Sequence, residues 1–119
     1  MEEIKVKDFI ALKEVIVCYI YAIELNDDGT IKKVYYYRYN NDKETITKGW
    51  NSRVHYFADS IIKGERIAYA GRISGTGNAE KMNNPSLVTV KTVDGKLFLT
   101  TASDDEKTNN LLSLPIINP

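Results

Sequence analysis

Two runs of strand-forming residues, VIVCYIYAIEL from Val15 to Leu25 and IKKVYYYRY from Ile31 to Tyr39, constrain this chain more than anything else in it. β-branched and aromatic side chains at this density suit a pleated sheet and do not suit a surface helix. Between the runs stands Asn26-Asp27-Asp28-Gly29, a turn signal in which the glycine takes positive φ without steric cost. With Asp28-Gly29 as a two-residue turn, Glu24 faces Lys33 and Ile23 faces Val34. That register places Tyr35, Tyr37 and Tyr39 on one face with Ala22, Ile20 and Cys18. The other face then holds Val17, Tyr19, Tyr21, Ile23, Val34 and Tyr36. Both faces are apolar, so the sheet needs cover on two sides.

Further along, residues 40–49 (NNDKETITKG) read as a polar loop, and one helix is predicted from Ser52 to Lys63. Asn51 or Ser52 caps its start, and Gly64 stands where a glycine ends a helix. Val54, Phe57, Ala58, Ile61 and Ile62 recur at helical spacing and form one apolar stripe for a sheet face. Glu65 to Ile73 reads as a third strand, followed by a loop, SGTGNAEKMNNPS. Leu87–Val93 and Lys96–Thr101 form a hairpin around Asp94-Gly95, with Val88, Val90, Leu97 and Leu99 facing the core. The order is ββαβββ: an α+β fold with a single antiparallel sheet of about five strands and one helix on a face. Residues 1–12 read as an N-terminal extension or edge strand, and residues 102–119 as a tail packing on the sheet. One helix cannot cover both faces, so the tail, together with self-association into a homo-oligomer, is expected to cover the other.

At 119 residues the chain has the size of one domain, 1–119, and buries a core without help from disulfide or metal. A single cysteine, Cys18, excludes an internal disulfide and fits a reducing, cytoplasmic setting. No apolar run approaches the roughly 20 residues of a membrane span, so no membrane partner is expected. Net charge is zero, which counts against bulk attraction to nucleic acid. The charge is uneven, however: residues 31–100 carry 12 Lys or Arg against 6 acids, between acidic ends.

No set of residues in the sequence builds a catalytic centre. GRISGTGNAEK brings Gly71, Gly75 and Gly77 together but matches no phosphate-loop spacing. His55 and Asp59 lie one helical turn apart with no nucleophile placed beside them, and read as an exposed surface pair. Cys18 lies mid-strand as a small buried hydrophobe. Asp104, Asp105 and Glu106 are consecutive and point apart, which suits a solvated turn and not a metal site. No cofactor is expected. The candidate site is a set of aromatic and cationic residues, Tyr35, Tyr37, Arg38, Trp50, Arg53, Tyr69 and Arg72. Such groups stack nucleobases and hold phosphates, although the tyrosines serve equally well as core or interface.

The pattern from residue 16 to 115 also resembles a family. Its parts are DGTIKKV, a W-x-S-R helix start ending in IIKG, VDGK-x-FLTT, and a closing NNL-x-x-LP. Ile31, Val34, Trp50, Ser52, Gly64, Gly95, Thr100, Asn110, Leu111, Leu114 and Pro115 carry the likeness to the bacterial and phage family called domain of unknown function 3892. The resemblance implies a compact, non-catalytic domain and transfers no activity. The expectation is a non-enzymatic binding protein of bacterial or phage origin, a host-interaction or anti-defence factor. Its partner is a nucleotide-like small molecule or a host protein. An RNA or single-stranded DNA module using sheet tyrosines, and a self-assembling structural domain, are the alternatives.

Overall fold

A computed structural model describes residues 15–40, 45–76, 80–101 and 110–117. Strands β1 (Ile16–Leu25), β2 (Ile31–Asn40) and β3 (Thr45–Arg53) form a meander that leads directly into helix α1 (Val54–Ile62). Strands β4 (Arg66–Ser74), β5 (Lys81–Val93) and β6 (Lys96–Thr101) follow, then a 3-10 turn at Asn110–Ser113. The sheet order is β3-β2-β1-β4-β5-β6. β1 and β4 pair in parallel at the centre and every other pair is antiparallel.

The architecture is therefore α+β, but the sheet has six strands and is mixed, not five and antiparallel. Two physical reasons account for the difference. The sixth strand is β3, where every residue from Thr45 to Asn51 is exposed, so no buried alternation marks it. It also carries an irregularity opposite Tyr36 and Arg38, beside Gly49 at φ +92°. The parallel pair arises because α1 carries the chain back before β4 enters beside β1, and a helical crossover makes strands parallel. β5 likewise begins at Lys81, inside the segment read as a loop; its irregularity by Pro85 coincides with Asn84 at φ +45°. The proposed N-terminal edge strand, Gly77, and the acids Asp104 to Glu106 lie outside the described residues.

The first hairpin keeps three expected pairs, Glu24 opposite Lys33, Ile23 opposite Val34 and Ala22 opposite Tyr35, but the two-residue turn at Asp28-Gly29 does not form. The register shifts after Glu24, Leu25 pairs with Ile31, and the Asn26 N–H closes a longer loop by donating to Thr30 O (2.7 Å). A bulge then takes up Tyr21, so that Ile20 pairs with Tyr36 and Tyr19 with Tyr37. One extra residue exchanges the faces of everything beyond it. Tyr35, Tyr37 and Tyr39 consequently share a face with Val17, Tyr19 and Tyr21, and not with Cys18 and Ile20. Cys18, Ile20, Ile23, Val34 and Tyr36 turn to the other side and build the core with Phe57 and Ala58 of α1.

The helix begins at Val54, two residues later than expected, and its N-cap Arg53 makes no side-chain cap; Ser52 still belongs to β3. Its end follows the expected rule. Gly64 takes φ +75°, its N–H donates to Ile61 O, and the Glu65 N–H donates to Ser60 O, both at 3.0 Å. Phe57 and Ala58 are fully buried, and Val54 and Ile61 flank them, whereas Ile62 is exposed. The β5–β6 hairpin has the expected register, with Val90 opposite Leu99 and both turn residues at positive φ (Asp94 +50°, Gly95 +78°).

The described part of the C-terminal tail, residues 110–117, packs on the helix side and not on the second face. Leu111 and Leu114 are buried in the same cluster as Phe57, on the helix side. β1 and β4 are paired only from Ile16/Arg66 to Ile20/Ala70, which leaves the outer backbone groups of Ile23 available. The tail takes them: the Ile23 N–H donates to Pro115 O (3.0 Å) and the Ile117 N–H donates to Ile23 O (2.7 Å). Ile116 itself remains half-exposed.

Candidate binding cleft

Tyr19, Tyr21, Tyr35, Tyr37, Tyr39 and Tyr69 project from three adjacent strands onto the face opposite the helix. Tyr19 and Tyr69 stack with ring centroids 6.0 Å apart, and Tyr21 lies tilted against Tyr37 at 4.8 Å. Tyr35 donates its hydroxyl to Glu24 (3.2 Å), a buried carboxylate that also pairs with Lys32 (3.4 Å). Glu24 is thereby satisfied, as a buried charge must be.

This face is concave. Lys48 on β3 and Glu80 just before β5 stand 2.6 Å apart, although β2, β1 and β4 lie between those strands. In a flat sheet four inter-strand steps would separate them by roughly 19 Å, further than the two side chains reach. The sheet must therefore curl towards the tyrosines, with the Lys48–Glu80 pair strapped across. Tyr37 donates to the same carboxylate (3.2 Å), and the Lys48 ammonium lies 5.6 Å from the Tyr37 ring centroid. Beneath the strap opens a cleft of about 880 Å³ walled by Tyr19, Tyr37, Ile46, Ile73 and Met82. Gly71 allows the Met82 wall to stand so close: a Cβ at 71 would fall 2.6 Å from Met82 Cγ and 2.8 Å from Asn83 O.

The charge states in the cleft follow from these bonds. The hydrogen bond from Lys48 holds the Glu80 carboxyl below its usual value, and that same bond raises Lys48. Burial and the bond to Glu80 raise Tyr37. Near neutral pH the strap is thus an ammonium and a phenol hydroxyl, both donating to a carboxylate.

The seven sequence-derived residues do not form one site. Tyr35, Tyr37 and Tyr69 lie on the concave face. Arg38 and Trp50 lie on the helix side, with the guanidinium 4.5 Å from the indole centroid. Arg72 donates to Ser113 O (2.8 Å) and anchors the tail. Arg53, at the end of β3, lines a separate cleft of about 540 Å³ with His55, Lys96 and Phe98. Tyr19, Lys48, Glu80 and Met82 were missed. Tyr19 is one more tyrosine of the same hairpin and could have been found there; the other three lie in segments that read as loops.

Other candidates for chemistry are engaged elsewhere. Asp59 pairs with Lys63 (2.9 Å) and the His55 ring lies against Tyr56. Burial pushes the Cys18 thiol up to about 11. Among the described residues, no three His, Cys, Asp or Glu gather as a metal site, and no helix is long and apolar enough to cross a membrane.

Fold and cleft together define a small α+β protein with a mixed, curled sheet, one face packed and the other a tyrosine-lined hollow. The family described as "Protein of unknown function (DUF3892)" matches residues 19–115, and the chain belongs to it. No curated protein and no solved structure matches the chain.

Proposed function

We propose that this protein is a non-enzymatic binding module of bacterial or phage origin, and that its concave tyrosine face captures a nucleotide-like small molecule. The observation that carries this reading is the gathering of six tyrosines on one curled face, two of them walling an open cleft. Phenol rings offer flat, polarizable surfaces that stack on heteroaromatic rings, and each such contact is worth about 1–3 kcal/mol per base. The non-enzymatic part rests on Asp59 being held by Lys63 and on Cys18 being buried and protonated. An accessory role that sequesters a small signal or blocks a host factor is consistent with a protein that binds and does not turn over.

Calorimetric titration with nucleosides and nucleotides tests the reading, with Tyr19→Ala and Tyr37→Ala as variants. Saturable binding is expected, weakened about 5- to 150-fold in each variant, the range that follows from losing one stacking contact. Absence of binding for every probe, or equal binding by both variants, contradicts it.

A second reading has its own observation. Tyr21, Tyr35, Tyr39 and Tyr69 extend the aromatic surface beyond the cleft, across β1, β2 and β4, which is enough for successive bases of a single strand. A short oligonucleotide binding far more tightly than its mononucleotide would favour this module over a small-molecule receptor.

A further inference from the structure

We infer that the cleft recognises the heteroaromatic ring of its ligand and leaves the phosphates unread; this rests on the reading above and sharpens it. Phosphate recognition needs unengaged cations or convergent backbone N–H groups. The arginines that could serve are elsewhere: Arg38 lies over Trp50 on the helix side, Arg72 is bound to the Ser113 carbonyl, and Arg53 lines the other cleft. Within the cleft, Lys48 stands 2.6 Å from Glu80, so its charge is already balanced, and an incoming phosphate would meet the Glu80 carboxylate. Lys81 is the only remaining cation among the described lining residues.

What the rim does present is a carboxylate acceptor, with an ammonium donor and a phenol hydroxyl each within hydrogen-bonding distance of it. That set matches the edge of an amino-substituted heteroaromatic ring, where an amino donor and a ring-nitrogen or carbonyl acceptor lie side by side. The walls match the faces of such a ring: Tyr19 and Tyr37 are aromatic, and Ile46, Ile73 and Met82 are apolar. A ring with polar edges and no charge fits this lining better than a polyanion does.

The test is calorimetric titration of the full chain with adenosine and guanosine, their 5′-monophosphates and 5′-triphosphates, and inorganic tripolyphosphate, at about 50 and about 300 mM salt. Within the series of the base that binds, affinities are expected to agree within about threefold and to change less than about twofold with salt, because few counterions are released. Tripolyphosphate is expected not to compete, and Arg38→Ala to leave the affinities unchanged. Affinity that rises about tenfold from nucleoside to triphosphate, or competition by tripolyphosphate, overturns this inference while leaving the binding reading intact. Failure of every nucleoside and nucleotide to bind overturns both.

Discussion

Cys18 stands near two guanidinium groups and nevertheless keeps its proton. Arg66 and Arg38 both favour the thiolate, but burial outweighs them, and the thiol titrates at about 11. Alkylation by iodoacetamide at pH 8 should therefore be at least about a hundredfold slower in the native protein than in the unfolded chain; comparable rates would contradict the burial. Arg66 shows a different solution for a charge inside the fold. Its guanidinium lies 4.3 Å from the Phe57 ring and 5.2 Å from the Tyr36 ring, while Nε and Nη1 have no hydrogen-bond partner among the described residues. Ring faces stand in for acceptors there. Phe57 was legible as core because it sits on an apolar helical stripe. Arg66 was not, since an arginine at the start of a strand reads as exposed and nothing local announces two rings above it.

At the scale of elements, legibility followed local chemistry. Asp94-Gly95 names its own turn, because both positions need positive φ, and register and facing then follow from a period of two. The end of α1 was readable for the same reason at Gly64. β3 was not readable, because an exposed edge strand carries no burial pattern. Nor was the bulge at Tyr21, whose position is decided by which register buries Cys18 and Ile20 under a helix distant in sequence. The tail falls between these cases: it reads as a segment that packs on the sheet, but the face taken by residues 110–117 depends on where β4 parts from β1. Leu111 is fully buried beneath it. Leu111→Ala should lower stability by about 2–5 kcal/mol in urea denaturation, with truncation after Ser103 costing more. A loss below about 1 kcal/mol would show that the tail is not part of the core.

For the whole molecule, one asymmetry follows from all of this. The helix and the tail pack on the same face, so the bulge that gathers the tyrosines also puts them on the face those elements leave uncovered. Curling brings Lys48 and Glu80 together over that face and turns a sheet surface into a cleft. Net charge could not have shown this, since the basic middle of the chain is divided between the two sides. Of the seven residues first gathered as one site, three are on the concave face, and the arginines that seemed to complete it have other work. The most direct measurement is a two-dimensional NMR titration of the isotope-labelled protein with the nucleoside that binds. Shifts should concentrate at Tyr19, Tyr37, Ile46, Lys48, Ile73, Glu80 and Met82 and leave Arg38, Trp50 and Arg72 unmoved. Shifts centred on the helix side, around Arg38 and Trp50, would contradict the concave face as the recognition surface.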